Sequence, residues 1–220
     1  MASSNISIDA IQSRYQQDMV IYNVGNHSNQ SGIIVAGISG SGKSTFINEL
    51  YSLRFLPIQP DNYRKLHPKI NHFISALGRE NAYSKTSWFS HNFALGLLDK
   101  ALQSKTSVIY ETTFNRLETA QSLIDKFIDH GYQLTIVTLP VDVKLSISRS
   151  AGRFEAKRYD ESTIPRQVPR DVIEDMSINF AKNLIVLQNK YESLGVVFMT
   201  IETEQEKQKY VEKIKKSLIN

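Results

Sequence analysis

The stretch Gly37-Ile38-Ser39-Gly40-Ser41-Gly42-Lys43-Ser44-Thr45 brings three glycines, an amine and several hydroxyls together at a spacing that suits a bound polyphosphate. It fits the pattern G-x-x-x-x-G-K-[ST], which has physical meaning only when a buried strand precedes it and a helix follows. Gly37, Gly40 and Gly42 let the backbone curl until successive N–H groups, from Ser39 through Thr45, converge on an anion. The positive end of the following helix adds to that attraction. Lys43 is expected to reach the β- and γ-phosphates, and the Ser44 hydroxyl to sit on a magnesium ion that arrives with ATP or GTP. The alternative is a glycine turn feeding an ordinary helix, and the Lys-Ser pair together with both flanks argues against it.

A phosphate loop alone does not separate kinases from nucleotide-driven switches. Transfer to an alcohol needs a group that orients the acceptor hydroxyl and takes its proton, and cations that offset charge on the moving phosphoryl group. Asp61 is the candidate base, while Arg153 and Arg166 are the candidate clamp, since a guanidinium can fork onto two phosphate oxygens. Equally open from the residues themselves are an Asp that caps a helix and arginines that solvate a surface.

These groups need elements to position them. Ile33-Ile34-Val35-Ala36 is an apolar run suited to a strand buried on both faces, and Phe46 to Tyr51 continues at helical spacing. Further strands are expected at Leu53–Ile58, Ser107–Tyr110, Leu134–Leu139 and Val196–Ile201. The first of these delivers Asp61 and the next Glu111-Thr112-Thr113 to the carboxyl end of a sheet, where ligands lie in open α/β folds. Ser7 opens an N-terminal helix over 7–22, short helices are expected within 62–85, and a longer one runs from Ser87 to Gln103. Asn115 with Glu118 predicts a capping box for a helix from Arg116 to His130, stopped by Gly131. Residues 143–150 read as helix and 151–168 as a mobile lid. Pro169 opens a long helix to about Leu194, and Thr203 with Glu206 caps a last amphipathic helix whose lysines, up to Lys215 and Lys216, form a solvated face. The expectation is one domain over 1–220, a three-layer α/β/α P-loop NTPase fold with a parallel sheet of about five strands, an N-terminal helix and loop over 1–30, and the lid.

Composition narrows the possibilities. The absence of Cys excludes disulfides and thiolate metal sites, and the five His residues (27, 67, 72, 91 and 130) have no metal-ligand spacing. A net charge of +4 suits anionic small molecules, and the basic tail lacks the aromatic interleaving of a nucleic-acid platform. The first nine residues have no signal-peptide character and no apolar run approaches a membrane span, so a soluble, cytoplasmic protein with no membrane or nucleic-acid partner is expected.

Four blocks together resemble the zeta toxin family: the phosphate loop; Asp61-Asn62-Tyr63-Arg64-Lys65-Leu66-His67-Pro68; Glu111-Thr112-Thr113; and Arg153-Phe154-Glu155 followed by Arg166. The likeness runs from about Ile33 to Leu187. It implies a kinase that phosphorylates the 3′-hydroxyl of the amino sugar in UDP-N-acetylglucosamine, starving cell-wall synthesis, with a small helical antitoxin over the nucleotide site. It further implies that Lys43 and Ser44 hold phosphates and magnesium and that Asp61 acts as base. Glu111 and Thr113 would hold the acceptor, and Arg153 and Arg166 would stabilise the transferring group. The chain departs from the pattern where Leu95, with Asp99 one turn later, replaces an acidic acceptor contact, and where Asn115-Arg116 puts the arginine one place late. A different acceptor, as in a nucleotide, nucleoside or antibiotic kinase, therefore stays open, as does a switch protein with no acceptor. Trp88, Phe89 and Phe93 could line the acceptor pocket or pack the core, and Arg149 could lie over adenine or pair on the surface. His67 reads as a turn residue beside Pro68.

Overall fold

Ser7 opens the first helix, α1 (Ile8–Ile21), by accepting a hydrogen bond from the Ala10 N–H at 3.1 Å. The computed structural model describes residues 6–160 and 164–219. Residues 1–5 of the expected leaderless start, 161–163 of the expected lid and the Lys215 side chain lie outside the described residues. After α1 the chain forms β1 (Ser31–Ala36), α2 (Lys43–Glu49) and β2 (Leu56–Ile58), then a 3-10 segment over Pro60–Leu66. Next come α3 (Ile70–Leu77), α4 (Arg79–Lys85), α5 (Ser87–Gln103), β3 (Val108–Thr112), α6 (Leu117–Asp129) and β4 (Gln133–Thr138). The last elements are α7 (Val143–Arg158), α8 (Arg170–Tyr191), β5 (Val197–Thr200) and α9 (Glu204–Ile219).

The strands pair in parallel in the order β2-β3-β1-β4-β5, with Ile33 opposite Ile109 on one side and Thr135 on the other. Alternation along β1 divides the core between two layers of helices. Ile34 and Ala36 join Tyr15 of α1, Phe93 and Leu97 of α5, Phe127 of α6 and Phe180 of α8. Ile33 and Val35 point the other way, onto Phe46 and Ile47 of α2 and Tyr210 of α9. Because helices cover both faces, β1 reads as a continuous apolar run. The sheet is thus the five-stranded parallel core of a three-layer α/β/α fold.

Several local expectations are corrected. α7 continues to Arg158, so the first half of the expected lid is regular helix that projects its exposed arginines from a rigid support. The Asn115 capping box does not form: α6 starts at Leu117 without a side-chain cap, and Asn115 Oδ1 instead accepts from Asn179 Nδ2 of α8 at 3.1 Å. The second strand is only three residues long, since Tyr51–Leu53 is 3-10 helix and Arg54 lies at φ 56°. Pro57 is accommodated because β2 is an edge strand with no second neighbour awaiting its N–H. At α9 the capping box is present, with the Glu206 N–H donating to Thr203 Oγ1 at 3.1 Å and the Glu206 carboxylate accepting from the Thr203 N–H at 3.2 Å. Along α1, Ile8 is 83% exposed, whereas Tyr15 is buried and bonds Thr106 through its hydroxyl at 2.7 Å. Among the described residues no helix is long and apolar enough to cross a membrane.

Sheet and helix approach each other closely at Gly32, where a Cβ would lie 2.5 Å from Cδ1 of the buried Phe127 ring. Gly32→Ala should therefore destabilise the fold by about 1–3 kcal/mol, seen as a lower urea midpoint at unchanged slope.

Candidate active site

The strand order fixes how the site is divided. The chain reverses direction of travel across the sheet at β1, and a crevice opens beyond the carboxyl ends of β1 and its neighbours. The phosphate loop leaves β1 at this point. Asp61 and Glu111 come from β2 and β3 on one side, while Leu139-Pro140-Val141 after β4 and Ile201-Glu202-Thr203 after β5 line the other. A single cavity of about 2050 Å³ spans both sides, and Lys and Arg outnumber Asp and Glu along its walls. A typical one-ligand pocket is roughly 300–1,000 Å³, so this one has room for two molecules meeting at the loop.

Within the loop, Gly40 and Gly42 take φ of 88° and 92°, a region that favours glycine. At Gly37 a Cβ would meet Ser41 Oγ at 2.6 Å. Lys43 is only 6% exposed, and its ammonium donates to the carbonyls of Gly37 and Ile38, both at 2.9 Å. Burial lowers the Lys43 pKa from its ordinary value, opposed by the Glu111 charge 3.9 Å away. A polyanion at the loop would favour the charged form further.

Glu111 is tied to this end of the site. Its Oε2 accepts from Ser44 Oγ at 3.2 Å and from the buried Gln59 side-chain amide at 2.8 Å. A hydroxyl beside a carboxylate is an oxygen donor set suited to a hard divalent cation, and such a cation takes its remaining ligands from water and phosphate. Among the described residues no group of three or more His, Asp and Glu could hold a metal unaided. The residues present therefore fit magnesium that comes with a nucleotide, through Ser44 and Glu111.

Asp61 faces the same cavity and is enclosed by donors. Its Oδ1 accepts from Arg64 Nε and from the Tyr83 hydroxyl, each at 2.9 Å, and its Oδ2 accepts from Arg166 Nη1 at 2.7 Å. Burial pushes the carboxyl up, but the Arg166 and Arg64 charges and the Tyr83 hydrogen bond outweigh it and hold the pKa at about 2. Arg166 and Arg153 both line the cavity, and the charges of Asp61, Arg166 and Arg153 all act on the Lys43 ammonium. The candidate base and both candidate clamp residues therefore share one cavity with the lysine. Thr113 lines the cavity just beyond the end of β3.

Beyond Asp61 the wall carries Trp88, His91 and Arg116. Burial, with the Arg116 charge, pushes His91 below the usual imidazole range, so near neutral pH it serves as an uncharged hydrogen-bonding group. The aromatic trio divides: Trp88 is 59% exposed in the cavity, whereas Phe89 and Phe93 belong to the core. Leu95 packs against that core, and Asp99 pairs with Lys126 at 2.5 Å, so neither supplies a carboxylate to the acceptor wall. Arg149 lines the cavity beside the loop and donates to the Gly40 carbonyl at 3.4 Å. His67 closes its turn, its Nδ1 accepting from the Lys69 N–H at 3.0 Å. The residues that sequence reasoning missed are Gln59, Arg64 and Tyr83. The first lies at a strand end two places before Asp61 and could have been suspected from that position.

The family model described as Zeta toxin matches residues 23–214. Among solved structures, one from the PezAT chromosomal toxin-antitoxin system of Streptococcus pneumoniae is 14% identical with a TM-score of 0.66, covering 100% of this chain and 98% of that one. A structure of AvrRxo1-ORF1:-ORF2 with ATP is 13% identical with a TM-score of 0.62, covering 84% of this chain and 57% of that one. The Pnkp1/Rnl/Hen1 RNA repair complex is 20% identical with a TM-score of 0.52, over 74% and 48%. No curated protein matches at the level of sequence. Likeness at such identities concerns the fold.

A Cβ at Gly40 would lie 2.5 Å from the Ser146 carbonyl oxygen of α7, at a φ that side chains resist. Gly40→Ala should force the loop away from α7 and weaken ATP binding about tenfold, or ~1.4 kcal/mol, in a calorimetric titration.

Proposed function

Because the chain belongs to the zeta toxin family, we propose that it is a kinase that transfers the γ-phosphate of ATP or GTP to a hydroxyl of a small anionic acceptor, with a nucleotide sugar such as UDP-N-acetylglucosamine the first candidate. The observation that carries this reading is that Lys43, Asp61, Arg153 and Arg166 line one cavity large enough for donor and acceptor, with Arg166 paired to Asp61 at 2.7 Å.

The loop amides from Ser39 to Thr45 and the Lys43 ammonium hold the donor's phosphates, the lysine exchanging its two carbonyl partners for phosphate oxygens. Ser44 and Glu111 would hold magnesium, which would supply positive charge against the donor's phosphates. Glu111, which the family resemblance gives to the acceptor, is assigned here to the metal side because of its contact with Ser44. Thr113 keeps its role toward the acceptor. Asp61 orients the acceptor hydroxyl and receives its proton. A carboxylate with so low a pKa suffices, because in a loose phosphoryl-transfer transition state the proton leaves late and positioning dominates. Arg166 moves its guanidinium from Asp61 Oδ2 to the γ-phosphate, and Arg153 joins it from α7. The Leu139–Val141 and Ile201–Thr203 turns receive the nucleotide base.

A second acceptor class is favoured by one observation, the absence of a carboxylate from Leu95 and Asp99 at the acceptor wall. Where a family member binds its acceptor through an acid there, this chain offers Trp88, neutral His91 and Arg116, a set suited to a more anionic acceptor. A small helical antitoxin that covers the nucleotide side is the expected partner, in keeping with the toxin-antitoxin origin of a similar structure.

Asp61→Asn should reduce transfer by about 10²–10⁴-fold while ATP affinity stays near that of the parent protein. Labelled ATP with a panel of nucleotide sugars and nucleotides reads the first quantity, and calorimetry the second. Undiminished transfer by this variant would remove Asp61 as the base.

A further inference from the structure

We infer that Tyr83 is a positioning residue for phosphoryl transfer, fixing the Asp61 carboxylate through its hydroxyl and supporting the Arg166 guanidinium on its ring. This rests on the kinase reading above and goes beyond it, since Tyr83 lies outside every motif that carries that reading. The geometry is specific. Tyr83 lies in the last turn of the short helix α4, and its hydroxyl donates to Asp61 Oδ1 at 2.9 Å. The Arg64 Cζ lies 3.5 Å from the ring centroid and the Arg166 Cζ 5.0 Å from it, both within cation–π range. The assembly is anchored from beneath: Arg64 Nη1 donates to the Tyr83 carbonyl at 2.8 Å, and the fully buried Thr86 hydroxyl donates to the same carbonyl at 2.9 Å.

The two oxygens of Asp61 thereby acquire different tasks. Oδ1 is saturated by Arg64 Nε and Tyr83. Oδ2 has Arg166 as its hydrogen-bond partner, so Oδ2 is the atom uncovered when Arg166 turns to the γ-phosphate. It is then the oxygen that meets the acceptor hydroxyl. The ring keeps contact with the guanidinium during that exchange, so Arg166 does not have to find its orientation again from solvent. Charged groups acting on the carboxylate are Arg64 from its own segment and Arg166 from the return to α8, with Lys43 across the cavity, and Glu111 acts in turn on Lys43 and Arg166.

Two substitutions separate hydroxyl from ring. Tyr83→Phe keeps the platform and loses the hydrogen bond that favours ionised Asp61, so the Asp61 pKa rises toward the ordinary carboxylate value. Arg64 alone then holds Oδ1, so kcat should fall about tenfold with little change in KM for ATP. Tyr83→Ala loses both and should lower kcat about 100-fold with little change in KM for ATP. A carbon-13 titration of the Asp61 carboxyl in Tyr83→Phe and the parent protein, without acceptor, reads the same rise independently of activity. Circular dichroism of each variant checks that the fold is kept. An Ala variant with parental kcat, or a Phe variant whose kcat and carboxyl titration both match the parent protein, would overturn the proposal. Undiminished transfer by Asp61→Asn would instead end the base assignment, leaving the carboxyl titration to judge the contact made by Tyr83.

Discussion

An ammonium group sealed under a glycine loop, with two main-chain carbonyls as its nearest partners, is the constraint on which the rest of the site depends. Lys43 gives up most of its hydration, and burial works against its charge. The carbonyls of Gly37 and Ile38 compensate only because the loop turns tightly enough to present them, which in turn demands left-handed glycines at 40 and 42 and no side chain at 37. Glu111 supplies the nearest opposite charge, but at 3.9 Å it is as close to being a neighbour of Ser44 as a partner of the lysine. Such a site suits an incoming polyphosphate, whose charge would offset that of the buried ammonium.

The sheet order turns this local arrangement into a two-sided cleft. With β3 and β2 on one flank of β1 and β4 and β5 on the other, every strand end contributes, and each contributes to a single side. Asp61, Glu111 and Thr113 reach the cavity from the ends of β2 and β3, and Leu139-Pro140-Val141 and Ile201-Glu202-Thr203 from the ends of β4 and β5. α7 and the return to α8 then bring Arg153 and Arg166 over the middle. In the proposed transfer Arg166 resolves an apparent conflict: the charge that keeps Asp61 ionised in the free protein is the one the phosphoryl group would need, so one guanidinium would serve both states in turn.

Much of this is legible in the chain, for physical reasons that can be named. The phosphate loop declares itself because glycine, lysine and serine at that spacing have few other uses together, and β1 because a strand covered on both faces must be apolar throughout. The position of Asp61 and of Glu111 at strand ends follows from periodicity. Strand order does not, since parallel pairing partners carry no local mark, and with it goes the assignment of Glu111 to the Ser44 side. The extent of α7 is hidden because Gly152 and a dense run of charge resemble a loop, although an exposed helix face tolerates both. Asn115 has the right neighbours for a cap but is claimed by Asn179 from α8, a contact 64 residues away. Tyr83 and Arg64 are invisible for a similar reason. Their importance arises only when α4 folds back over the segment that carries Asp61, and α4 has no periodic signature that predicts where it will land.

The most direct measurement is phosphorus-31 spectroscopy of the purified protein with magnesium, ATP and a small-molecule extract, because it separates transfer from hydrolysis whatever the acceptor is. The expected spectrum gains ADP together with an equal amount of a new phosphomonoester. ADP matched only by inorganic phosphate would contradict the central claim that this cleft hands the terminal phosphoryl group to an alcohol.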